Sequence, residues 1–252
     1  RTGDGTGVGE MGGDETNGAL APGESETVSF SYVVPSDTPT NATYEHGVHT
    51  SDSNRTAAID VLEPPSYEVS ALRAPAFVER NGSFDATATV TNVGGLGGEN
   101  RTVELRLTDP ANASDVRVLD AANVSIGAGN ATGVALHGTV PSGFATGETT
   151  VAVASSEDAA DATVGVADAV GTVSGTVTDA ETNAALSGIS VVVEDGGEST
   201  GETTTGADGT YAVSAPAAGL NVTAGNETYA PANRTVTLNE SGDTAVADFA
   251  LT

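Results

Sequence analysis

The sequence predicts an all-β chain built from tandem β-sandwiches, with no substantial helix. Two observations lead there. Short runs of alternating apolar and polar residues, bounded by Gly, Pro, Asn and Asp, continue from Leu20 to the C-terminus, whereas no ten-residue window sustains a helical period. The alternation also repeats. Leu20-Ala21-Pro22-Gly23, Val28, Phe30, Val34 and Pro35 recur 106 residues later as Ile126-Gly127-Ala128-Gly129, Val134, Leu136, Val140 and Pro141, and Ile59-Asp60-Val61 recurs 105 residues later as Val164-Gly165-Val166.

Taken in order, residues 1–19 are Gly-rich and acidic, with few apolar side chains, and read as a loop or disordered lead-in. Residues 20–63 form the second segment. Leu20 to Glu24 makes a turn, Val28, Phe30, Tyr32 and Val34 alternate up to Pro35, and Tyr44–His49 and Ala57–Val61 supply two further strands. The repeat makes 20–63 the C-terminal half of one sandwich, with its first half missing from the chain. Glu63-Pro64-Pro65-Ser66 is a stiff linker of polyproline type.

Residues 67–167 read as a complete sandwich of about seven strands. Its inward faces are Tyr67/Val69/Ala71, Phe84/Ala86/Ala88/Val90, Val103/Leu105/Leu107, Val116/Val118, Val134/Leu136, Val151/Val153 and Val164/Val166. Residues 170–252 form a third segment of about seven strands, with faces at Val173/Val177, Ile189/Val191/Val193, Tyr211/Val213/Ala215, Leu220/Val222/Ala224, Val236/Leu238 and Ala247/Phe249/Leu251. Within it, Thr203 to Tyr211 reads as strand, tight turn and strand. Asp208-Gly209 supplies the commonest short hairpin turn, so both residues are structural.

Composition bounds the environment. The chain carries 35 acidic against 8 basic residues, a net of -27, every basic residue is Arg, and Cys is absent. Without Cys there are no disulfides, thiol nucleophiles or Cys-ligated metals. Clustered Lys/Arg for a nucleic-acid backbone is lacking, and no apolar run approaches the length of a membrane span. So much like charge repels itself, yet at molar salt the Debye length is only about 3 Å and the repulsion is screened. Acidic excess with no lysine resembles the proteins of extreme halophiles, which implies a haloarchaeal source.

Eleven of the fourteen asparagines open an Asn-x-Ser/Thr triplet: Asn41, Asn54, Asn81, Asn100, Asn112, Asn123, Asn130, Asn221, Asn226, Asn233 and Asn239. Ser and Thr make up 55 of 252 residues, so chance gives roughly three such triplets. The excess marks these residues as candidate N-glycosylation sites and an extracellular address, on a cell surface or secreted.

Two family resemblances follow from longer motifs. Val90-Thr91-Asn92-Val93-Gly94-Gly95, with the turn-strand-Pro signature at 126–141 and again at 20–35, resembles the CARDB module, an Ig-like domain of prokaryotic surfaces, over residues 20–167. Val173-Ser174-Gly175-Thr176-Val177-Thr178-Asp179, Ala185-Leu186-Ser187-Gly188-Ile189-Ser190-Val191 and Thr203 to Tyr211 resemble the carboxypeptidase regulatory-like domain, of transthyretin-like sandwich type, over 170–252. That resemblance implies a non-catalytic accessory domain, because in the peptidases the zinc and catalytic groups sit on a separate domain.

Motifs that carry chemistry are few. His46 and His49 are the one His pair, but residues three apart on a strand point to opposite faces and converge on no metal. Glu157, Asp158 and Asp161, or Glu194 and Asp195, offer oxygen ligands to Ca²⁺, though no EF-hand spacing is present. No Gly-x-Ser-x-Gly elbow or P-loop occurs. The expectation is a non-enzyme with no cofactor, Ca²⁺ being the one ion its carboxylates could take. Its role is structural or adhesive, as a stalk or surface-layer spacer whose partners are other surface proteins, glycans and neighbouring domains of its own chain. The alternative is an accessory carbohydrate- or peptide-binding module of a secreted hydrolase.

Overall fold

A computed structural model describes residues 21–25, 27, 33–49 and 53–252, except for the side chain of His49. The expected lead-in at 1–19 and residues 28–32 of the strand expected over Val28–Val34 lie outside the described residues. No helix occurs among the described residues, and the chain divides into two compact units, 1–63 and 64–252.

In the first unit the turn at Ala21 to Glu24 is closed by the Glu24 amide donating to the Ala21 carbonyl, 3.0 Å. Its two strands, β1 (Ala42–His49) and β2 (Asn54–Val61), form one antiparallel hairpin in which Ala42 faces Val61 and His49 faces Asn54. None of the described residues before Pro64 is buried. Among the described residues this hairpin buries no side chain.

The second unit has two cores, one built from residues 67–166 and one from 173–251. The first core is enclosed by eight strands: β3 (Tyr67–Arg73), β4 (Phe77–Glu79), β5 (Ser83–Asn92), β6 (Gly98–Asp109), β7 (Asn112–Ile126), β8 (Ala131–Thr139), β9 (Gly147–Ala154) and β10 (Ala159–Ala167). They form a five-stranded sheet, β4-β10-β9-β6-β7, and a three-stranded sheet, β3-β5-β8. Strict alternation sets β5, where Phe84, Ala86, Ala88 and Val90 are buried and Ser83, Asp85 and Thr87 exposed.

Two expected faces are wrong, and both errors come from bulges. The β3–β5 register slips between Ser70 and Arg73, so Ala71 is exposed at φ 51° and Leu72 packs on the core instead. Similarly, β6–β7 pairing jumps from Leu105↔Asp120 to Arg106↔Val118, leaving Leu119 as the extra residue. The slip turns Leu119 toward the core and Val116 and Val118 to solvent, because a one-residue shift exchanges the two faces.

Where the loops of this sandwich meet, a single buried side chain satisfies four backbone groups. Asn92 Nδ2 donates to the carbonyls of Leu96 (2.8 Å) and Ile126 (2.9 Å), and its Oδ1 accepts from the amides of Ser66 (3.2 Å) and Gly94 (3.0 Å). Beside it, the buried Tyr67 hydroxyl donates to the Gly98 carbonyl (3.0 Å) and accepts from the Ile126 amide (3.1 Å). The Pro64-Pro65 linker is held down at the same place, since the Pro65 carbonyl accepts from Arg101, 2.8 Å.

The second core lies between β14-β11-β17, with β18 also on β11, and β13-β12-β15-β16. The strands are β11 (Val170–Asp179), β12 (Ser190–Asp195), β13 (Glu198–Thr204), β14 (Thr210–Pro216), β15 (Gly219–Gly225), β16 (Ala232–Thr237), β17 (Thr244–Val246) and β18 (Phe249–Leu251). The turn at Asp208-Gly209 forms as expected, but its flanking strands do not pair with each other. β13 pairs with β12 and β14 with β11, so the turn is a corner from one sheet to the other. Gly209 sits there at φ +74°, and a Cβ on it would lie 2.6 Å from the Val177 carbonyl oxygen.

β17 and β18 pair in parallel with successive parts of β11 and are interrupted at Ala247-Asp248. Side chains fill the gap. The Tyr211 hydroxyl donates to the Ala247 carbonyl at 2.6 Å, and Asp248 Oδ1 accepts from the Thr176 amide at 2.8 Å and hydroxyl at 2.9 Å. Gly175 allows this approach, for a Cβ there would meet the Ala247 oxygen at 2.1 Å. Burial, and secondarily the charge of Asp248, push the Tyr211 hydroxyl from 10.0 up to about 12.

Two residues, Asp168 and Ala169, separate β10 from β11. Arg80 pins them: its guanidinium pairs with Asp168 and donates to the Phe144 carbonyl (3.3 Å), and its amide donates to the Ala167 carbonyl (2.8 Å). The Ser241 hydroxyl donates to Glu79 across the same junction, 2.5 Å.

Truncating Asn92→Ala leaves two buried and two part-buried backbone groups without this partner and should destabilise the second unit by about 3 kcal/mol in chemical denaturation. A raised folded-state pKa means that Tyr211 contributes stability below pH 10 that is lost as pH rises toward about 12. Tyr211→Phe should therefore cost about 1–2 kcal/mol at neutral pH and flatten that alkaline fall, as read by denaturation across the range.

Candidate functional site

The sequence's candidate sites are asparagines, and the fold spreads them over the surface. All are exposed except Asn221, which is half-buried. Three hold left-handed backbone, with φ of 56° at Asn41, 62° at Asn81 and 51° at Asn100, and Asn is a residue that tolerates this region. Asn54 opens β2, and Asn130 and Asn239 lie in turns or loops.

The side-chain amide, whose nitrogen would take a glycan, meets different surroundings from site to site. At Asn112 and Asn226 the Oδ1 accepts from backbone amides two residues on (Ser114, 3.1 Å; Thr228, 2.9 Å). At Asn123 the Oδ1 accepts from the Thr102 hydroxyl, 3.0 Å. At Asn41 and Asn221, by contrast, the Nδ2 itself donates to Glu63 (2.9 Å) and Glu194 (3.3 Å). Asn221 and Asn233 occupy outward positions of the paired strands β15 and β16, with Thr235 and Thr223 opposite them.

The outer face of β3-β5-β8 bears no such triplet. Thr87, Thr89 and Thr91 on β5 face Ala135, Gly133 and Ala131 on β8. A shallow trough of about 510 Å³ runs over them, with Arg73 on its rim. Arg73 makes no ion pair among the described residues, whereas Arg80, Arg101, Arg106 and Arg117 each pair with a carboxylate. No signal in the sequence marked this face, because Arg73 comes opposite Thr87 only through the bulge in β3.

The other candidates are dispersed. The acidic set does not converge: Glu157 pairs with Arg101, and Asp158 accepts the Val69 amide at 2.8 Å. Among the described residues no group of three or more His, Asp and Glu is placed to hold a metal. His46 is exposed on β1, and the side chain of His49 lies outside the described residues. His137 Nδ1 lies 2.8 Å from Asp85 on the outer sheet face. At the structural turn, the Thr210 hydroxyl and then its amide donate to Asp208 and hold that carboxyl below the usual range.

Comparison with known proteins gives partial likenesses. A β-glucosidase from Listeria innocua shares 19% identity at a TM-score of 0.34, over 40% of this chain and 16% of that one. A β-glucosidase from Erythrobacter marinus shares 16% at 0.34, over 40% and 15%. The chain thus spans about a sixth of the length of these enzymes. A CARDB domain from Pyrococcus furiosus shares 19% at 0.33, over 42% of this chain and 98% of that one. No curated protein matches the chain in sequence. One family does match, the carboxypeptidase regulatory-like domain, and its residues 172–252 are the second sandwich of the larger unit.

Proposed function

We propose that this chain is a non-catalytic structural module of a cell-surface protein, extracellular, N-glycosylated and adapted to high salt, of the kind found on halophilic archaea. The observation that carries this reading is the junction between the two sandwiches. A two-residue connection pinned by Arg80, Asp168, Glu79 and Ser241 suits a spacer that must hold its modules in line. Exposed triplet asparagines on both sandwiches and the net charge of -27 support the address and the salt adaptation. The regulatory-like domain supports the absence of chemistry, as such domains accompany catalytic units without supplying their reacting groups.

One observation favours a second role, as an accessory module that binds a carbohydrate or peptide. The Arg73 guanidinium beside the Thr-rich trough, without an ion-pair partner among the described residues, offers a fork of donors to a carboxylate, on strands that hold no triplet asparagine.

Two measurements test these readings. Dilution from molar to tenth-molar NaCl restores repulsion among the carboxylates and should unfold the chain. A circular dichroism melt unchanged across that range would refute the salt adaptation. The spacer reading predicts that the purified chain pulls down neither cell-wall glycan nor intact cells. Retention that is lost in Arg73→Ala would establish the binding role instead.

A further inference from the structure

A strand at the end of a sheet presents unpaired N–H and C=O groups, and copies of a chain associate through such edges unless something blocks them. In the second unit the fold itself blocks most edges. β4, β17 and β18 are three residues long, and β3 is bent by its bulge. β7 and β8 close on each other, with the His137 amide donating to Asp120 at 2.8 Å. β13 and β14 do likewise, and a Cβ on Gly201 would lie 2.8 Å from the Val213 side chain. β16 has none of these devices. It ends its sheet, pairs with β15 alone among the described residues, and does so without a break from Ala232 to Thr237. Asn233, Arg234 and Thr235 are all exposed, and Thr235-Val236-Thr237 is β-branched, which favours strand pairing. Like-charge repulsion gives no local protection either, because the strand holds no carboxylate in a chain with 35 acidic residues.

What β16 does hold is a triplet asparagine. Asn233-Arg234-Thr235 lies across from Asn221-Val222-Thr223, with Asn233 opposite Thr223 and Thr235 opposite Asn221. The two asparagines differ in their surroundings. Asn221 is half-buried on an interior strand and its Nδ2 donates to Glu194 at 3.3 Å, whereas Asn233 is exposed on the edge itself. We propose that Asn233 carries the glycan of this sheet while Asn221 stays bare, and that this glycan guards the β16 edge against a second copy of the chain. The inference rests on the N-glycosylation proposed above. Attached to the outermost strand, a sugar chain fills the space that an added strand would need about 5 Å away.

The test uses the full chain made in an N-glycosylating halophilic host and kept in molar NaCl. Glycopeptide mass spectrometry should find Asn233 occupied and Asn221 bare. Thr235→Ala removes the acceptor signal at an exposed position and keeps Asn233. In sedimentation velocity it should at least double the sedimenting mass of an otherwise monomeric chain, and amide exchange along Ala232–Thr237 should slow by roughly tenfold as concentration rises. Asn233→Gln should behave in the same way. Thr228→Ala, which removes the acceptor signal at Asn226 in the preceding loop, should leave the chain monomeric. The inference is overturned if Thr235→Ala and Asn233→Gln stay monomeric, or if Thr228→Ala associates equally, since glycan mass and not its place would then matter. Glycans on other triplets with Asn233 bare or Asn221 occupied overturn it and leave the glycosylation reading standing. A chain with no glycan on any triplet overturns both.

Discussion

Buried backbone that lies outside any strand must find hydrogen-bond partners, and in the first sandwich Asn92 provides them. Segments from three places in the sequence arrive at its side chain: Ser66 from the linker, Gly94 and Leu96 after β5, and Ile126 at the end of β7. Left unpaired, the two buried groups, the Gly94 amide and the Ile126 carbonyl, would each cost about 1–3 kcal/mol. An amide is the side chain for this task, because it donates twice and accepts twice without carrying charge. Tyr67 completes the arrangement by bridging Gly98 and Ile126. In a core of Val, Ala and Leu, with neither Trp nor disulfide available, such polar ties fix where the loops sit.

The second sandwich solves the same problem differently. Its last strand breaks at Ala247-Asp248, and Tyr211 and Asp248 replace the lost ladder bonds, with Gly175 giving the room. In both sandwiches the polar side chains are used inward, for assembly. What faces outward is small, acidic or part of a glycan-acceptor triplet. That division of labour suits the spacer role proposed above, since it leaves the interior to hold shape and the exterior to stay soluble. A departure is the Thr-rich face beside Arg73, whose cation has no ion-pair partner among the described residues.

The alternating runs were legible because a half-buried strand writes its period directly into the chain, as at Phe84, Ala86, Ala88 and Val90. Periodicity fails where one extra residue intervenes. Ala71, Val116 and Val118 look inward by alternation and are turned out by bulges that composition does not mark. The corner at Asp208-Gly209 shows a related limit. Its turn is a local property of two residues, whereas the pairing of β13 and β14 with β12 and β11 depends on residues elsewhere in the chain. For the candidate sites, the triplets were readable, but the engagement of Asn221 with Glu194 was not.

By itself the sequence determined the all-β class, the repeat at an offset of 105, the location of most core residues and the acidic, lysine-free surface, because each rests on local period or on composition. Only the tertiary structure decided which sheet each strand joins, which way residues beyond a bulge face, what Asn92 and Tyr211 hold together, and that Arg73 has no ion-pair partner among the described residues. Those outcomes depend on contacts between residues far apart in the chain, and hydrogen-bond satisfaction in three dimensions selects among arrangements that the linear pattern leaves equivalent.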